Sequence, residues 1–206
     1  MKSKIVPATE ENILKSAEIL KNDGVVVVPT ETVYALVANA FSKSAVEKIF
    51  EIKKRPKSKP LSCNIESFKM LSSLTDCNSS TFIKLTKAFW PGPLTVVVKK
   101  KPYVPNIVTA NKKSVAIRFS SNSILKRLTN LCGSPLVVPS ANISGAGSKT
   151  NALEVYEELK DRVNLIVDCK ETKFKVESTI VLIKDSGEID ILREGAIKKE
   201  KIYAII

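Results

Sequence analysis

Two short runs of consecutive apolar residues, 25–28 (Val-Val-Val-Val) and 136–138 (Leu-Val-Val), constrain the fold more than any other feature of the sequence. An unbroken, β-branched run is typical of a strand that is buried on both faces, and such a strand needs helices above and below it. Apolar residues at helical spacing occur at 13–20, 44–52 and 124–131, and Thr9, Glu10 and Glu11 indicate a capped, acidic first turn for the first of these helices. The pattern therefore predicts an α/β fold.

The rest of the sequence adds strands that pair locally. Residues 61–65, 94–98, 115–119 and 165–167 have strand patterns, and 179–183 and 189–192 are joined as a hairpin by Asp185-Ser186-Gly187. Helices are expected at 66–71, 80–89 and 151–160, and Ser44 with Glu47 matches a capping box for a helix that begins near residue 44. We expect one domain, residues 1–206, built on a twisted, mixed parallel and antiparallel sheet flanked by helices.

Polar residues follow both apolar runs directly, as Pro-Thr-Glu-Thr-Val-Tyr at 29–34 and as a small, glycine-containing loop at 139–148. Ligands bind at the carboxyl ends of strands in α/β sheets, so Thr30, Glu31, Thr32 and Tyr34 are candidate site residues. The alternative is that these hydroxyls cap a following helix. The second loop would let backbone N–H groups approach a phosphate, although it matches no established phosphate-binding pattern.

Residues 53–61, Lys-Lys-Arg-Pro-Lys-Ser-Lys-Pro-Leu, concentrate positive charge on a segment that Pro56 and Pro60 prevent from forming a regular helix. Several cations on a stiff segment can be directed at one anion, which indicates phosphate. A solvated basic loop or a general nucleic-acid patch would have the same composition. Arg118 lies inside a strand pattern, where it needs an anion that either a ligand or a structural ion pair could supply.

The chain contains no histidine, which excludes Ser-His and Cys-His nucleophile pairs and His-ligated metals. Its four cysteines form no Cys-x-x-Cys pair, so neither a zinc site nor a disulfide framework is indicated. The net charge of +12 fits an anionic partner, either nucleotide phosphates or an RNA. With no membrane-length apolar run and no signal-peptide pattern, the expected location is the cytoplasm, with no membrane partner.

Seven motifs occur in one order along the chain: Pro-Thr-Glu-Thr-Val-Tyr, Lys-x-Arg-Pro-x-x-Lys-Pro-Leu, Trp-Pro-Gly-Pro-Leu-Thr, Val-Ala-Ile-Arg, Pro-Ser-Ala-Asn-x-Ser-Gly, Glu-Ser-Thr-Ile-Val and Leu-Arg-x-Gly-Ala-Ile. Together, over residues 25–197, they resemble the YrdC/Sua5 family, the L-threonylcarbamoyladenylate synthases, in its short, single-domain form. The resemblance implies a YrdC-like fold with a basic central cleft.

What the family resemblance implies for activity is a nucleotidyltransferase that combines L-threonine, bicarbonate and ATP into threonylcarbamoyl-AMP and releases pyrophosphate. Mg²⁺ would be carried by ATP, with no protein side chain assigned as a metal ligand. The product would serve N6-threonylcarbamoyladenosine formation in tRNA, and a separate enzyme would transfer the group.

The resemblance also implies roles for individual residues. Those implied to bind the nucleotide are Lys53, Arg55, Lys59, Ser114, Ser140, Asn142, Ser148 and Arg193, with Lys53 and Arg55 as the catalytic pair. Those implied to bind threonine are Thr32, Asn64, Arg118, Val138 and Ser178. Three positions depart from the family pattern: Asn64 replaces a histidine of the longer relatives, Ala35 replaces a glycine, and Glu194 replaces a proline.

Two other functions fit the sequence. One is an RNA-binding YrdC-like protein whose basic cleft serves tRNA or ribosomal RNA, including double-stranded RNA, although its aromatic residues are few and are not interleaved with the basic ones. The other is a relative that forms a carbamoyl-adenylate with a different acceptor.

Overall fold

The computed structural model describes residues 3–206, and the strands of this range form a single ten-stranded sheet. The strands are β1 (Lys4–Pro7), β2 (Val26–Val28), β3 (Ala35–Asn39), β4 (Ser62–Asn64), β5 (Leu94–Lys99), β6 (Ser114–Arg118), β7 (Leu136–Val137), β8 (Leu165–Asp168), β9 (Thr179–Ile183) and β10 (Ile189–Arg193). Their order across the sheet is β1-β8-β2-β3-β7-β4-β6-β5-β9-β10.

The helices are α1 (Glu10–Lys21), α2 (Lys43–Lys53), α3 (Phe68–Leu71), α4 (Ser80–Phe89), α5 (Asn106–Thr109), α6 (Ser123–Cys132), α7 (Ala152–Leu159) and α8 (Lys199–Tyr203), with a 3-10 turn at Lys160–Arg162. Parallel pairs such as β1–β8 and β5–β9 stand beside antiparallel ones such as β5–β6. The predicted mixed sheet flanked by helices is confirmed.

Several elements begin and end as the sequence predicts. Helix α4 has the predicted bounds, and the β9–β10 hairpin turns at Asp185-Ser186-Gly187. Helix α1 is capped by Thr9, whose hydroxyl accepts a hydrogen bond from the backbone N–H of Asn12 at 3.3 Å. In these places a capping side chain or a glycine turn fixes the boundary locally.

The predicted N-cap of α2 is wrong by two residues. The N-cap is Ser42, whose hydroxyl accepts from the N–H of Ala45 at 3.2 Å. The hydroxyl of Ser44 instead donates to the carboxylate of Asp23 at 2.5 Å, so Ser44 and Glu47 do not form a capping box. Because α2 ends at Lys53, the non-helical basic segment begins one residue later than predicted, at the left-handed Lys54.

No helix follows residues 29–34. The chain turns there and enters β3, which pairs antiparallel with β2 through Val28 and Ala35. The alternative that Thr30 and Thr32 cap a following helix is therefore wrong. Strand β3 is absent from the sequence-based expectation, as are β1, α5 and α8.

The core lies on both faces of the sheet. Helices α1 and α6 cover one face, where Leu20 and Leu128 are fully buried against Val28. A larger cluster on the other side includes Ile49 of α2, Leu85 of α4 and alternate residues of β5, β6 and β9. Each fully buried aliphatic side chain contributes about 1.5–3 kcal/mol, so these layers hold the strands that carry the site.

Candidate functional site

One cleft, of about 630 Å³, brings most of the predicted site residues together. Its floor is a face of the half-sheet formed by β6, β5 and β9. Side chains alternate along a strand, so Val96, Ile117 and Val181 enter the core while Val97, Ala116 and Ile180 line the cleft. The volume is in the range of small-molecule sites.

Cationic side chains dominate the charged part of the lining. Five of them, Arg55, Lys59, Lys112, Arg118 and Arg193, face one acidic residue, Glu177. Lys112 and Glu177 were not predicted as site residues. Glu177 does begin one of the seven motifs, whereas Lys112 lies in a lysine-rich loop that gives no specific signal.

Arg118 is held at the cleft by an ion pair and a hydroxyl. Its Nη2 lies 2.9 Å from Glu31 Oε1 and donates to Thr32 Oγ1 at 3.0 Å. Thr32 is fully buried and contacts the hydroxyl of Thr30 at 2.8 Å. The two readings of Arg118 are thus compatible, since it makes a structural ion pair while it lines the cleft.

The Nε of Arg118 is buried and has no hydrogen-bond partner within residues 3–206. A buried donor without an acceptor is costly, and a carboxylate can satisfy a guanidinium through two parallel bonds. The arrangement therefore offers an unused donor on an arginine whose orientation is already fixed.

Glu31 is the anion that fixes Arg118. Its carboxylate also accepts from the hydroxyl of Ser120 and from the backbone N–H of Ser121, at 3.2 Å in the second case. Burial acts to raise the pKa of Glu31, but the charge of Arg118 and the hydrogen bond from Ser120 outweigh it, and the pKa lies below its ordinary value. Glu31 is therefore ionised at neutral pH.

Lys53 does not reach the cleft. It is 2% exposed, and its ammonium donates to the backbone carbonyls of Ser140 and Asn142, the latter at 2.7 Å, and to Asn142 Oδ1 at 3.3 Å. Burial, assisted by the charge of Arg55, lowers the pKa of Lys53 to about 8. Direct phosphate contact by Lys53 stays a prediction, and in this structure its ammonium holds the 140–142 loop.

Arg55 does line the cleft, and its role toward the nucleotide stays a prediction. It donates to the backbone carbonyls of Lys59 at 3.2 Å and Pro60 at 2.8 Å, so the segment folds around its own guanidinium. Burial lowers the pKa of Arg55, and the charge of Glu177 opposes that shift. Lys59, Ser114 and Ser140 also line the cleft.

Three other predicted residues lie outside the cleft lining. Asn64 is buried and donates to Ile65 O at 3.1 Å and Thr129 Oγ1 at 3.2 Å, while its Oδ1 accepts from the N–H of Ser120 at 3.1 Å. Asn142 uses its amide on Ile143 O and Ala146 O. Ser148 donates to Glu177 at 2.7 Å. Asn64 and Asn142 thus hold backbone groups, whereas Ser148 contacts a side chain that lines the cleft.

The β9–β10 hairpin supplies the remaining wall. Arg193 donates through Nε to Ser178 O at 3.0 Å and through Nη2 to Ser178 Oγ at 3.2 Å, and it pairs with Glu177 through Nη1. Ser178 Oγ also lies 2.9 Å from Thr95 Oγ1. Val138 and Ser178, which the family resemblance assigns to threonine, both line the cleft.

The departures from the family pattern are accommodated locally. Glu194 pairs with Lys198 at 2.9 Å, and Ala35 lies in a regular strand without a positive φ.

Within residues 3–206 there is no cluster of three acidic or thiol side chains that could hold a metal ion. No helix in the described part of the chain is long and apolar enough to cross a membrane.

Comparison with known proteins identifies relatives of this arrangement. The family model Sua5_yciO_yrdC, described as "Telomere recombination", matches residues 18–195. Threonylcarbamoyl-AMP synthase of Pyrococcus abyssi is 39% identical over 197 residues, which cover 96% of this chain and 58% of that protein. A putative threonylcarbamoyl-AMP synthase of Methanocaldococcus jannaschii is 36% identical, with 97% of this chain and 95% of that protein covered.

Among solved structures, Pyrococcus abyssi Sua5 complexed with L-threonine superposes with a TM-score of 0.93 at 37% identity. The match covers 100% of this chain and 60% of that one. This chain thus spans somewhat less than three fifths of the longer Pyrococcus protein and nearly all of the Methanocaldococcus one.

Proposed function

Because this chain belongs to the Sua5/YciO/YrdC family, we propose that it is a threonylcarbamoyl-AMP synthase that condenses L-threonine, bicarbonate and ATP and releases pyrophosphate. The observation that carries the proposal is Arg118, which Glu31 and Thr32 orient and which lines the same cleft as four further cations. Its buried Nε has no partner among residues 3–206. The RNA-binding and carbamoyl-adenylate alternatives are not favoured by the relatives found.

In the proposed complex, the carboxylate of threonine binds the guanidinium of Arg118. Glu31 and Thr32 hold this guanidinium before the substrate arrives, which lowers the entropic cost of binding. Ser178 and Val138 lie on the same cleft and would contact the rest of the amino acid. Asn64 acts through position, since it anchors the N–H of Ser120, which in turn bonds Glu31.

The nucleotide is proposed to bind Arg55, Lys59, Ser114, Ser140 and Arg193, which line the cleft. Lys53 and Asn142 support this site indirectly, because their mutual hydrogen bonds fix the loop that presents Ser140. The Glu177–Ser148 bond joins that loop region to the hairpin. Phosphate oxygens would thus meet fixed cations without a large rearrangement of backbone.

The chemistry fits a site without histidine. The free amine of threonine adds to the carbon of CO2 or bicarbonate, and water leaves in the second case. An oxygen of the resulting carbamate then forms a bond to the α-phosphorus as the bond to the pyrophosphate oxygen breaks. Negative charge builds on phosphate oxygens, and the guanidinium and ammonium groups of the cleft stabilise it.

We propose that Mg²⁺ enters as part of Mg·ATP and is held by phosphate oxygens, where it neutralises charge. The proposal extends to residues 1–206 forming one domain that acts in the cytoplasm and passes its adenylate to a separate enzyme that modifies tRNA. Support for one domain comes from the continuity of the ten-stranded sheet over residues 4–193.

The test is pyrophosphate release from Mg·ATP with threonine and bicarbonate each omitted in turn. We expect release to require both. The Arg118→Lys variant should raise the KM for threonine at least about tenfold, because lysine cannot make a bidentate contact, and should leave the KM for ATP nearly unchanged. Arg127→Lys, at an exposed arginine paired with Glu10, is the matched control. Release that ignores threonine would reject the proposed function.

A further inference from the structure

Glu177 is the one acidic side chain in the lining of the cleft. Its carboxylate accepts from the hydroxyl of Ser148 at 2.7 Å through Oε1 and pairs with Arg193 Nη1 through Oε2. Both partners belong to the set that the family resemblance assigns to the nucleotide. An internal anion therefore binds groups that are suited to an incoming anion.

Arg193 has no nitrogen without a partner. Its Nε and Nη2 donate to Ser178 at 3.0 and 3.2 Å, and Nη1 pairs with Glu177. Arg193 thus uses three of its five N–H donors, and a phosphate that approaches the remaining N–H groups of Nη1 and Nη2 comes beside the carboxylate of Glu177. Repulsion between these like charges favours departure of the acceptor that can move. The Ser178 acceptors are a backbone carbonyl and a hydroxyl that also contacts Thr95, whereas the side chain of Glu177 is 32% exposed and can rotate.

The backbone of Glu177 cannot withdraw in place of its side chain. Its carbonyl accepts from the N–H of Ala196 at 2.9 Å, and a Cβ at Gly195 would lie only 2.2 Å from the same oxygen. The β9 entry and residues 195–197 are further joined through Thr179 Oγ1, which accepts from the N–H groups of Gly195 and Ile197. Glu177 can therefore leave Arg193 only by rotation of its own side chain.

The charge of Glu177 acts beyond its direct contacts. It raises the pKa values of Arg55 and Arg193 against the lowering caused by burial, and it has the same sign of effect on Lys53. A carboxylate at this position thus offsets the mutual repulsion of the cations around it.

We propose that Glu177 is an internal anion that binds the phosphate-recognising groups of the cleft and is displaced by the polyphosphate of the nucleotide. It thereby sets the affinity of the cleft for polyphosphate. Displacement also breaks the Glu177–Ser148 bond, which frees the hydroxyl of Ser148 to donate to the ligand. The inference rests on the proposed function, which assigns the nucleotide to this cleft.

The experiment measures binding of inorganic tripolyphosphate, and of ATP with Mg²⁺, by calorimetry to the full chain and to Glu177→Gln. One unit charge removed at roughly 6 Å, with an effective dielectric constant of about 40, predicts about tenfold tighter tripolyphosphate binding. Glu188→Gln is the matched control: it removes one negative charge from the same hairpin at a side chain that is 73% exposed. That variant should change affinity by less than about twofold.

Glu177→Asp separates charge from shape, because it keeps the anion and shortens the side chain. Its affinity for tripolyphosphate should stay within about twofold of the unaltered protein. Equal or weaker binding by Glu177→Gln, with an unchanged thermal midpoint, overturns the inference. If threonine-dependent pyrophosphate release is present at the same time, only the inference fails. If Glu177→Gln binds tripolyphosphate more tightly but pyrophosphate release does not depend on threonine, the proposed function fails and the inference stands.

Discussion

Replacement of Lys53 by methionine should lower the stability of the folded protein. Methionine replaces the apolar stem of lysine with another long, unbranched side chain, but it removes the ammonium. That ammonium donates to two backbone carbonyls and to Asn142 Oδ1. A buried acceptor that loses its donor costs about 1–3 kcal/mol, and release of the buried charge offsets part of that loss. We expect a net decrease of about 2–4 kcal/mol in the free energy of unfolding.

Urea denaturation provides the measurement. With a slope of about 2 kcal/mol per molar, the midpoint should fall by about 1–2 M, and the slope itself should not change. Arg55→Met is the control, since Arg55 bonds only carbonyls of its own segment and lines the cleft. That variant should weaken ATP binding while its midpoint moves by less than about 0.5 M.

A structural role for Lys53 is contradicted if Lys53→Met keeps its urea midpoint and loses ATP binding, because the ammonium would then contact phosphate. The pH dependence provides a second check. Burial lowers the pKa of Lys53 to about 8 in the folded protein, against about 10.4 in an unfolded chain. The unfolded state binds more protons between these values, so the unaltered protein should gain stability relative to Lys53→Met as pH rises from 8 to about 10.4.

Four further changes test other contacts. Gly195→Ala places a Cβ 2.2 Å from a backbone oxygen and should cost about 3 kcal/mol or more in thermal unfolding. Gly147→Ala, with no heavy atom within 4 Å, should be neutral or stabilise by about 0.4–1 kcal/mol. Glu31 has a lowered pKa, so the stability difference between the unaltered protein and Glu31→Gln, measured by urea denaturation, should shrink as pH falls below about 4.3. Thr32→Val removes an acceptor of Arg118 and should raise the KM for threonine about fivefold; an unchanged KM would show that this bond does not orient the arginine.

The sequence predicted those helices and strands whose ends are fixed by residues close to them in the chain. The capping hydroxyl of Thr9 and the Asp185-Ser186-Gly187 turn act within a few residues, so the sequence contains what they need. Strand β1 could not be found in this way, because its partner β8 lies about 160 residues later. Strand β3, Ala-Leu-Val-Ala-Asn, has small residues and no alternation, and only its pairing with β2 and β7 makes it a strand.

The same distinction applies to the site. Ser114 and Arg118 lie four residues apart on β6, so they share one face of the strand, and both line the cleft. The sequence pattern placed the strand at 115–119 and so left Ser114 outside it. Charge composition could not show that Lys53 is buried, since its acceptors lie on a loop almost ninety residues later in the chain. Glu177 was missed for a related reason: an anion among cations acquires its role only when the hairpin closes on the cleft.

The pairing of β1 with β8 also bears on how the molecule is made. At about 5–20 residues per second, a ribosome needs roughly ten to thirty seconds to reach the partner of the first strand. Strand β5 likewise awaits β9, and Arg193 reaches the cleft only with β10. During that interval the nascent chain exposes unpaired strand edges, a state prone to aggregation. In the proposed function nucleotide binds a cleft that exists only in the finished molecule, so cellular ATP would stabilise the completed protein but not its precursors.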